Sequence, residues 1–400
     1  MINSKMQKLG ASRSVIRELF EYGKMRKAQI GADKVFDFSL GNPSTPPPNR
    51  INNTLIELIS NENPTALHGY TSADGDVNTR RAIAAYIREN YDEKIDESCI
   101  YMTVGAAGAL TSIITALVTE GEEVICLTPY FPEYKVFIER CGGVVHSVPT
   151  KDGDFSLDIE KIANAINEKT ASIIINSPNN PTGAIYTEDE ISRLADLLRL
   201  KEKEYGKNIY LICDEPYREL VYSDTKVPYC TKFYDDTLIA YSYSKSLSLP
   251  GERIGYALIN PRIKNFKEIK EAVMGAGRAL GYVCAPSLLQ ALITKCVGST
   301  SDIESYRENA KILYNALTEY GYEAVKPQGA FYLFVRALEE NAAAFSEVAK
   351  KFELLLVPSD SFGIGGYVRI SYCVSREQVI NSLPAFKALA DYYKKERNCK

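Results

Sequence analysis

Between about residues 80 and 290 the chain alternates short apolar runs with longer segments whose apolar positions recur at helical spacing. The short runs fall at 99–104, 123–127, 144–149, 172–176, 210–214 and 237–241. Their length and their β-branched and aromatic residues predict buried strands. The amphipathic segments between them, for example 107–118, 134–141 and 188–200, predict helices. Thr187 opens a Thr-Glu-Asp-Glu run with the pattern of a capping box. Strands that alternate with helices predict a mainly parallel sheet covered on both faces. In such sheets ligands sit beyond the carboxyl ends of the strands.

The pattern changes past residue 300. A helix at 305–320, a strand-like run at 330–335, a helix at 342–351, strands at 354–357 and 368–372, and a last helix at 375–394 predict a separate α+β unit. An amphipathic helix at 263–274 leads towards it. The stretch Asn42-Pro43-Ser44-Thr45-Pro46-Pro47-Pro48 predicts a rigid extended connection. The expected division is a large domain over 50–290, with 1–49 and 291–400 forming a smaller one.

Composition narrows the function. A chain of 400 residues with 45% apolar and 24% charged residues is ordinary for a globular enzyme. A net charge of −4 argues against nucleic acid, which selects a basic face. No apolar run reaches the length that crosses a bilayer, and Met1-Ile2-Asn3-Ser4-Lys5 begins no apolar signal core. Lys5, Lys8, Arg13, Arg17, Lys24, Arg26 and Lys27, interrupted by Glu18 and Glu21, predict a surface helix in the first 34 residues. Nine cysteines with no Cys-x-x-Cys pair, several inside strand-like runs, fit buried free thiols in a reducing cytoplasm. Only His68 and His146 are available, which weighs against a Ser-His-Asp triad or a histidine metal site. His146 reads as a surface position of a strand.

Lys245 follows the run 237–241 and sits among Ser242, Ser244, Ser246 and Ser248, with Arg253 eight residues on. A lysine at the end of a buried strand is costly unless it is neutralised or used. One use is a Schiff base with a carbonyl cofactor whose phosphate the hydroxyls and the arginine hold. Asp214 ends another strand and is followed by Glu215-Pro216-Tyr217. It reads either as a cap of the next turn or as the partner of a buried cation such as a protonated pyridine. Asn180, in Ser177-Pro178-Asn179-Asn180-Pro181-Thr182-Gly183, lies in a proline-pinned loop that is either a plain turn or a fixed amide donor. Gly105-Ala106-Ala107-Gly108 opens a helix after a strand. Such small residues serve packing, or let an anion approach the free N–H groups of the first turn. Arg369 alternates with Val368 and Ile370. It suits a salt bridge or a substrate carboxylate.

In this order and spacing, Asn180-Pro181-Thr182-Gly183, Asp214-x-x-Tyr217 and Ser242-x-x-Lys245 with Arg253 resemble the class I/II aminotransferases of fold type I, the aspartate aminotransferase superfamily. The resemblance runs from about Gly41 to Arg369. It implies a pyridoxal 5′-phosphate enzyme with a mainly parallel seven-stranded sheet between helices and a smaller α+β domain. It implies that Lys245 forms the Schiff base and shuttles the proton, and that Asp214 keeps the ring nitrogen protonated. Tyr217 and Asn180 would bond the ring oxygen, and Phe131 would stack on the ring. Ser242, Arg253 and the Ala106 and Ala107 amides would hold the phosphate, with Tyr70 reaching in from a second subunit of a homodimer. Arg369, helped by Gly41, would grip the substrate α-carboxylate. Arg278 is either a second substrate-binding cation or an exposed arginine past a helix end. Aspartate-specific members usually carry tryptophan where Phe131 stands, and Ala107 replaces a frequent hydroxyl residue. The implied activity is ping-pong transfer of an amino group from an L-α-amino acid to a 2-oxo acid. The alternative is C–S β-elimination, or a related elimination such as ring-forming γ-elimination, on the same residue set. A third use of this domain, sensing for an attached DNA-binding module, finds no such module in the short leader before Asn42.

Overall fold

The computed structural model describes residues 2–11, 14–222 and 224–398. The alternating runs become one seven-stranded sheet: β2 Ile100–Thr103, β3 Glu123–Thr128, β4 Val144–Pro149, β5 Thr170–Asn176, β6 Tyr210–Asp214, β7 Thr237–Ser242 and β8 Gly255–Ile259. A short strand, β1 (Phe36–Asp37), precedes them. The sheet order is β2-β8-β7-β6-β5-β3-β4. Only β8 runs against its neighbours, β2 and β7, and the other pairings are parallel. Every residue of β5, β6 except Tyr210, β7 and β8 is buried. That accounts for unbroken apolar runs rather than a two-residue alternation, because helices cover both faces.

On one face the helix Gly105–Leu117 packs against β7, β8 and the helix Phe266–Ala279. On the other face Ile191, Leu194 and Leu198 of the helix Glu188–Tyr205 join Ile83, Ile87 and Leu292 in the largest apolar cluster. The capping box forms as its sequence predicts. Thr187 Oγ1 accepts from the Glu190 amide at 3.3 Å and Glu190 Oε2 accepts from the Thr187 amide at 2.8 Å. The helix ends at Gly206, left-handed at φ 66°.

A second cluster surrounds an antiparallel sheet of β9 Tyr332–Arg336, β11 Val357–Pro358 and β12 Tyr367–Ser371, in the order β11-β12-β9. The helices Ile303–Tyr320 and Arg376–Asn398 pack on each other over it. β1 pairs in parallel with β10, Leu354–Leu355, which ties the N-terminal segment to this cluster.

Several expectations change in detail. The antiparallel strand β8 was not among the six predicted, although Gly255-Tyr256-Ala257-Leu258-Ile259 is a plain apolar run. The expected strand 354–357 divides into β10 and β11. The helix expected at 263–274 starts at Phe266 behind a left-handed Asn265 and continues to Ala279. The N-terminal region forms two helices, Ser4–Ala11, which buries nothing, and Val15–Ile30, which buries Leu19 and Gly23. Met1, Ser12 and Arg13 lie outside the described residues, as does Cys399. Residues 42–48 are irregular, and Thr45 Oγ1 is pinned by the Tyr306 hydroxyl at 2.6 Å. His146 lies on the edge strand β4 beside Glu123, Nδ1 to Oε2 3.0 Å. The eight described cysteines are free thiols. Among the described residues no helix is long and apolar enough to cross a membrane.

Candidate active site

The parallel strands deliver Thr128, Asn176, Asp214 and Ser242 at one edge of the sheet, their carboxyl ends. After β7 the chain turns into a short helix, Tyr243–Ser246, that carries Lys245. Ser242 Oγ starts this turn by accepting from the Ser244 amide at 3.2 Å. Lys245 Nζ donates to the Gly41 carbonyl at 2.6 Å and lies 5.2 Å from the Phe331 ring centre. Burial pulls its pKa down to about 8; Cys373 opposes this, while Arg369 and Arg253 add to it. An amine that loses its proton this readily is a usable nucleophile and base.

Asp214 Oδ2 accepts from the Tyr134 hydroxyl at 2.6 Å, while its Oδ1 is buried with no partner. Burial raises the pKa of this carboxyl to about 7, against the Tyr134 hydrogen bond and with added repulsion from Glu215. A buried carboxylate oxygen without a donor calls for a cation or an N–H group. The next turn places Tyr217, whose hydroxyl is 2.9 Å from that of Tyr332. Behind it Arg218 Nε donates to Glu215 Oε2 at 2.6 Å, both side chains 4% exposed. The Arg218 guanidinium lies over Tyr91 and Tyr229, at 5.1 and 4.8 Å. Asn176 ties two loops together: its Nδ2 donates to the Asp214 carbonyl and its Oδ1 accepts from the Asn180 amide.

Arg369 on β12 is 2% exposed, and no carboxylate pairs with it among the described residues. Nη1 donates to Asn180 Oδ1 at 3.0 Å and Nη2 to the Ser39 carbonyl at 2.7 Å, while Nε is buried without a partner. The rings of Tyr332 and Phe362 flank the guanidinium at 4.6 and 5.1 Å. A buried cation with donors to spare can receive a carboxylate.

The third feature is a set of amide, hydroxyl and guanidinium groups that can receive an anion. Gly105, at φ 82°, opens its helix with no side-chain cap, so the first-turn amides are free. A Cβ at Gly105 would stand 2.9 Å from Arg253 Nη2, so only glycine admits the guanidinium this close. Arg253 Nη1 also reaches Ser244 Oγ, 3.4 Å away, and Ser242 Oγ donates to the same hydroxyl at 2.8 Å.

These groups share one cavity of about 280 Å³. Of the residues expected from the sequence, Gly41, Ala106, Ala107, Phe131, Asn180, Asp214, Tyr217, Ser242, Lys245, Arg253 and Arg369 line it. Two do not. Tyr70 is 95% exposed on the surface of this chain. Arg278 is exposed at the end of the helix Phe266–Ala279, outside the cavity of its own chain. Gly41 contributes its carbonyl to Lys245, a contact the resemblance did not imply. The cavity also takes Ser244, Tyr332, Leu40 and Ile16. Ser244 stands in the serine-rich run and could have been read there. Ile16 belongs to the supposed surface helix, and only packing brings it to the cavity wall.

The model of the family "Aminotransferase class I and II" matches residues 33–385. An aspartate aminotransferase of Thermotoga maritima is 28% identical over 372 residues, covering 92% of this chain and 95% of that protein. A probable aspartate/prephenate aminotransferase of Thermus aquaticus is 31% identical over 328 residues, covering 79% and 82%. The crystal structure of an amino transferase from Eubacterium rectale superposes with a TM-score of 0.97 at 51% identity, over 98% of this chain and 99% of that one. These relatives are named as aminotransferases and do not favour the β-elimination alternative. The chain belongs to the class I and II aminotransferase family and is an amino-acid transaminase.

Proposed function

We propose that this transaminase works with pyridoxal 5′-phosphate and moves an amino group from an L-α-amino acid to a 2-oxo acid in a ping-pong cycle. The observation that carries this reading is a pair of unmatched buried groups. Asp214 Oδ1 and Arg369 Nε, of opposite charge, both lack partners and belong to side chains lining the cavity that holds Lys245. The donor set fits the cofactor. The Ala106 and Ala107 amides, Ser242, Ser244 and Arg253 would hold its phosphate. Asp214 would pair with its ring nitrogen, Phe131 would cover its ring, Tyr217 and Asn180 would bond its ring oxygen, and Lys245 would join its aldehyde. Bound there, the cofactor supplies an electron-poor ring that accepts the electron pair released at the substrate Cα.

The chain's own residues do the rest. Arg369 has five N–H donors, and two are used internally; a substrate α-carboxylate would take two of the others and be held in one orientation. Lys245, its amine eased towards the neutral form by burial, would carry the proton to and from Cα. We also propose a homodimer, in which the exposed Tyr70 serves a neighbour's site and the exposed Arg278 acts across the same boundary. The two apolar clusters support a division into a large and a small domain, proposed as 50–290 against 1–49 and 291–400; Leu292, Ile293 and Cys296 of the helix Ser287–Cys296 nevertheless join the large cluster, and Tyr217 and Leu220 the small one. The free thiols support a cytoplasmic setting.

The test is a half-reaction. Holoenzyme is mixed with single L-amino acids without an oxo acid, and its visible absorbance is followed. Conversion of the bound cofactor to pyridoxamine phosphate, reversed by a 2-oxo acid, is the expected result. Release of ammonia and pyruvate with the starting spectrum restored would overturn it in favour of elimination.

A further inference from the structure

Tyr134 touches both groups that would hold the cofactor ring, and no motif drew attention to it. It stands in the first turn of the helix Glu133–Arg140, 1% exposed, packed among Val124, Cys126, Ile174 and Ile212. Its hydroxyl donates to Asp214 Oδ2 at 2.6 Å. Its ring meets that of Phe131 edge-on, with centres 5.8 Å apart at 84°. The Asp214 main chain is held separately by Asn176, so the remaining freedom of the residue is rotation of its carboxylate. The Tyr134 hydroxyl removes that freedom by binding one oxygen and leaving the other, Oδ1, bare.

We propose that Tyr134 is a positioning residue for transamination, anchoring one Asp214 oxygen so that the other faces the cofactor ring nitrogen, and buttressing Phe131 against the ring face. This rests on the reading of the site given above. Two consequences follow from the contacts. A hydroxyl donated to a carboxylate favours its charged form, and here it counters the burial that pushes Asp214 the other way. Burial and the nearby Asp214 hold the Tyr134 hydroxyl well above its ordinary pKa, so it stays a donor throughout the working pH range. A buried tyrosine that merely satisfies its own hydroxyl would show the same hydrogen bond, so the test must separate the two roles.

Tyr134→Phe keeps the ring against Phe131 and loses the donor, whereas Tyr134→Leu loses both. Each is made in the native chain and in an Asp214→Asn background. The measurements are kcat and KM for an L-amino acid, the dissociation constant of pyridoxal phosphate, and Tm. Tyr134→Phe should lower kcat and weaken cofactor binding about tenfold each, the scale of one hydrogen bond to a charged group. KM for the amino acid should stay within about twofold, because Arg369 is untouched. In the Asp214→Asn background the loss of cofactor affinity should vanish, since the carboxylate that Tyr134 serves is gone. Tyr134→Leu should add a second loss of affinity in both backgrounds through Phe131. Cofactor affinity and kcat within twofold of the native chain in Tyr134→Phe, or an undiminished loss in the Asp214→Asn background, would overturn the proposal. A native chain that transaminates no L-amino acid would bring down the parent reading and this one with it. A native chain that transaminates, beside an indistinguishable Tyr134→Phe, removes this inference alone.

Discussion

Replacing Arg369 tests the substrate end of the site most directly. Its guanidinium is fixed by two internal hydrogen bonds, to Asn180 and the Ser39 carbonyl, and by the rings of Tyr332 and Phe362. The donors left over can meet both oxygens of a carboxylate. A hydrogen bond between charged groups contributes about 1.5–3 kcal/mol, so the fork contributes about 3–6 kcal/mol to binding. Arg369→Lys keeps the charge but cannot fork. Losing about half of that energy should lower kcat/KM about 10–150-fold. Arg369→Met should lower it about 10²–10⁴-fold. The assay is steady-state transamination of an L-amino acid that the native chain uses, with the pyridoxal phosphate dissociation constant measured beside it. Cofactor affinity should change little, because Arg369 is assigned to the substrate. A drop below about fivefold for Arg369→Met, or a loss of cofactor affinity as large as the loss of kcat/KM, would refute the assignment of this buried cation to the substrate carboxylate.

Other outcomes can be checked in parallel. Lys245→Ala should cost at least about 10²–10⁴-fold in turnover. In the native apoprotein, uptake of pyridoxal phosphate should accelerate as pH rises through about 8 and then level off, as the amine loses its proton; a stopped-flow absorbance series reads this. Asp214 has a folded pKa near 7, above its unfolded value, so its contribution to apoprotein stability is full below about pH 4 and lost as pH rises through 7. At pH 8, Asp214→Asn should therefore raise the apoprotein Tm by up to about 5 °C while weakening cofactor binding, which calorimetry and a binding titration separate. Arg218→Met leaves Glu215 charged, buried and alone, a cost of about 3–5 kcal/mol. With a transition entropy of about 0.8 kcal/mol/K for a chain of this size, Tm should fall by about 5 °C. The double variant Glu215→Gln/Arg218→Met should recover most of that fall, and no recovery would show that the ion pair is not the cause.

Local pattern made the large sheet and half of the site readable. Strands buried on both faces are continuous apolar runs, so β6 falls where the sequence predicts it, and the ends of β6 and β7 locate Asp214 and Lys245; the edge strand β4 also falls at its predicted 144–149, although most of its residues are exposed or half-buried. The turn chemistry of Asn180-Pro181-Thr182-Gly183 and the small residues from Gly105 are local signals too. β8 escaped because its run directly follows the Lys245 segment and could be read as its tail.

Sequence by itself determined which side chains the strand ends present, since strand period and parallel direction place those residues at one edge whatever the later packing. The tertiary structure alone decided what they meet. Lys245 bonds a carbonyl 204 positions away, Arg369 an amide 189 positions away, and Asp214 a hydroxyl 80 positions away. Ile16, from a helix whose charges mark it as surface, reaches the same cavity. No periodicity encodes such contacts, because each depends on how segments far apart in the chain pack together. The energetic reason is the same throughout: a bare carboxylate oxygen and an unpaired guanidinium are tolerable on the page of a sequence, and only burial in one cavity makes each demand a partner.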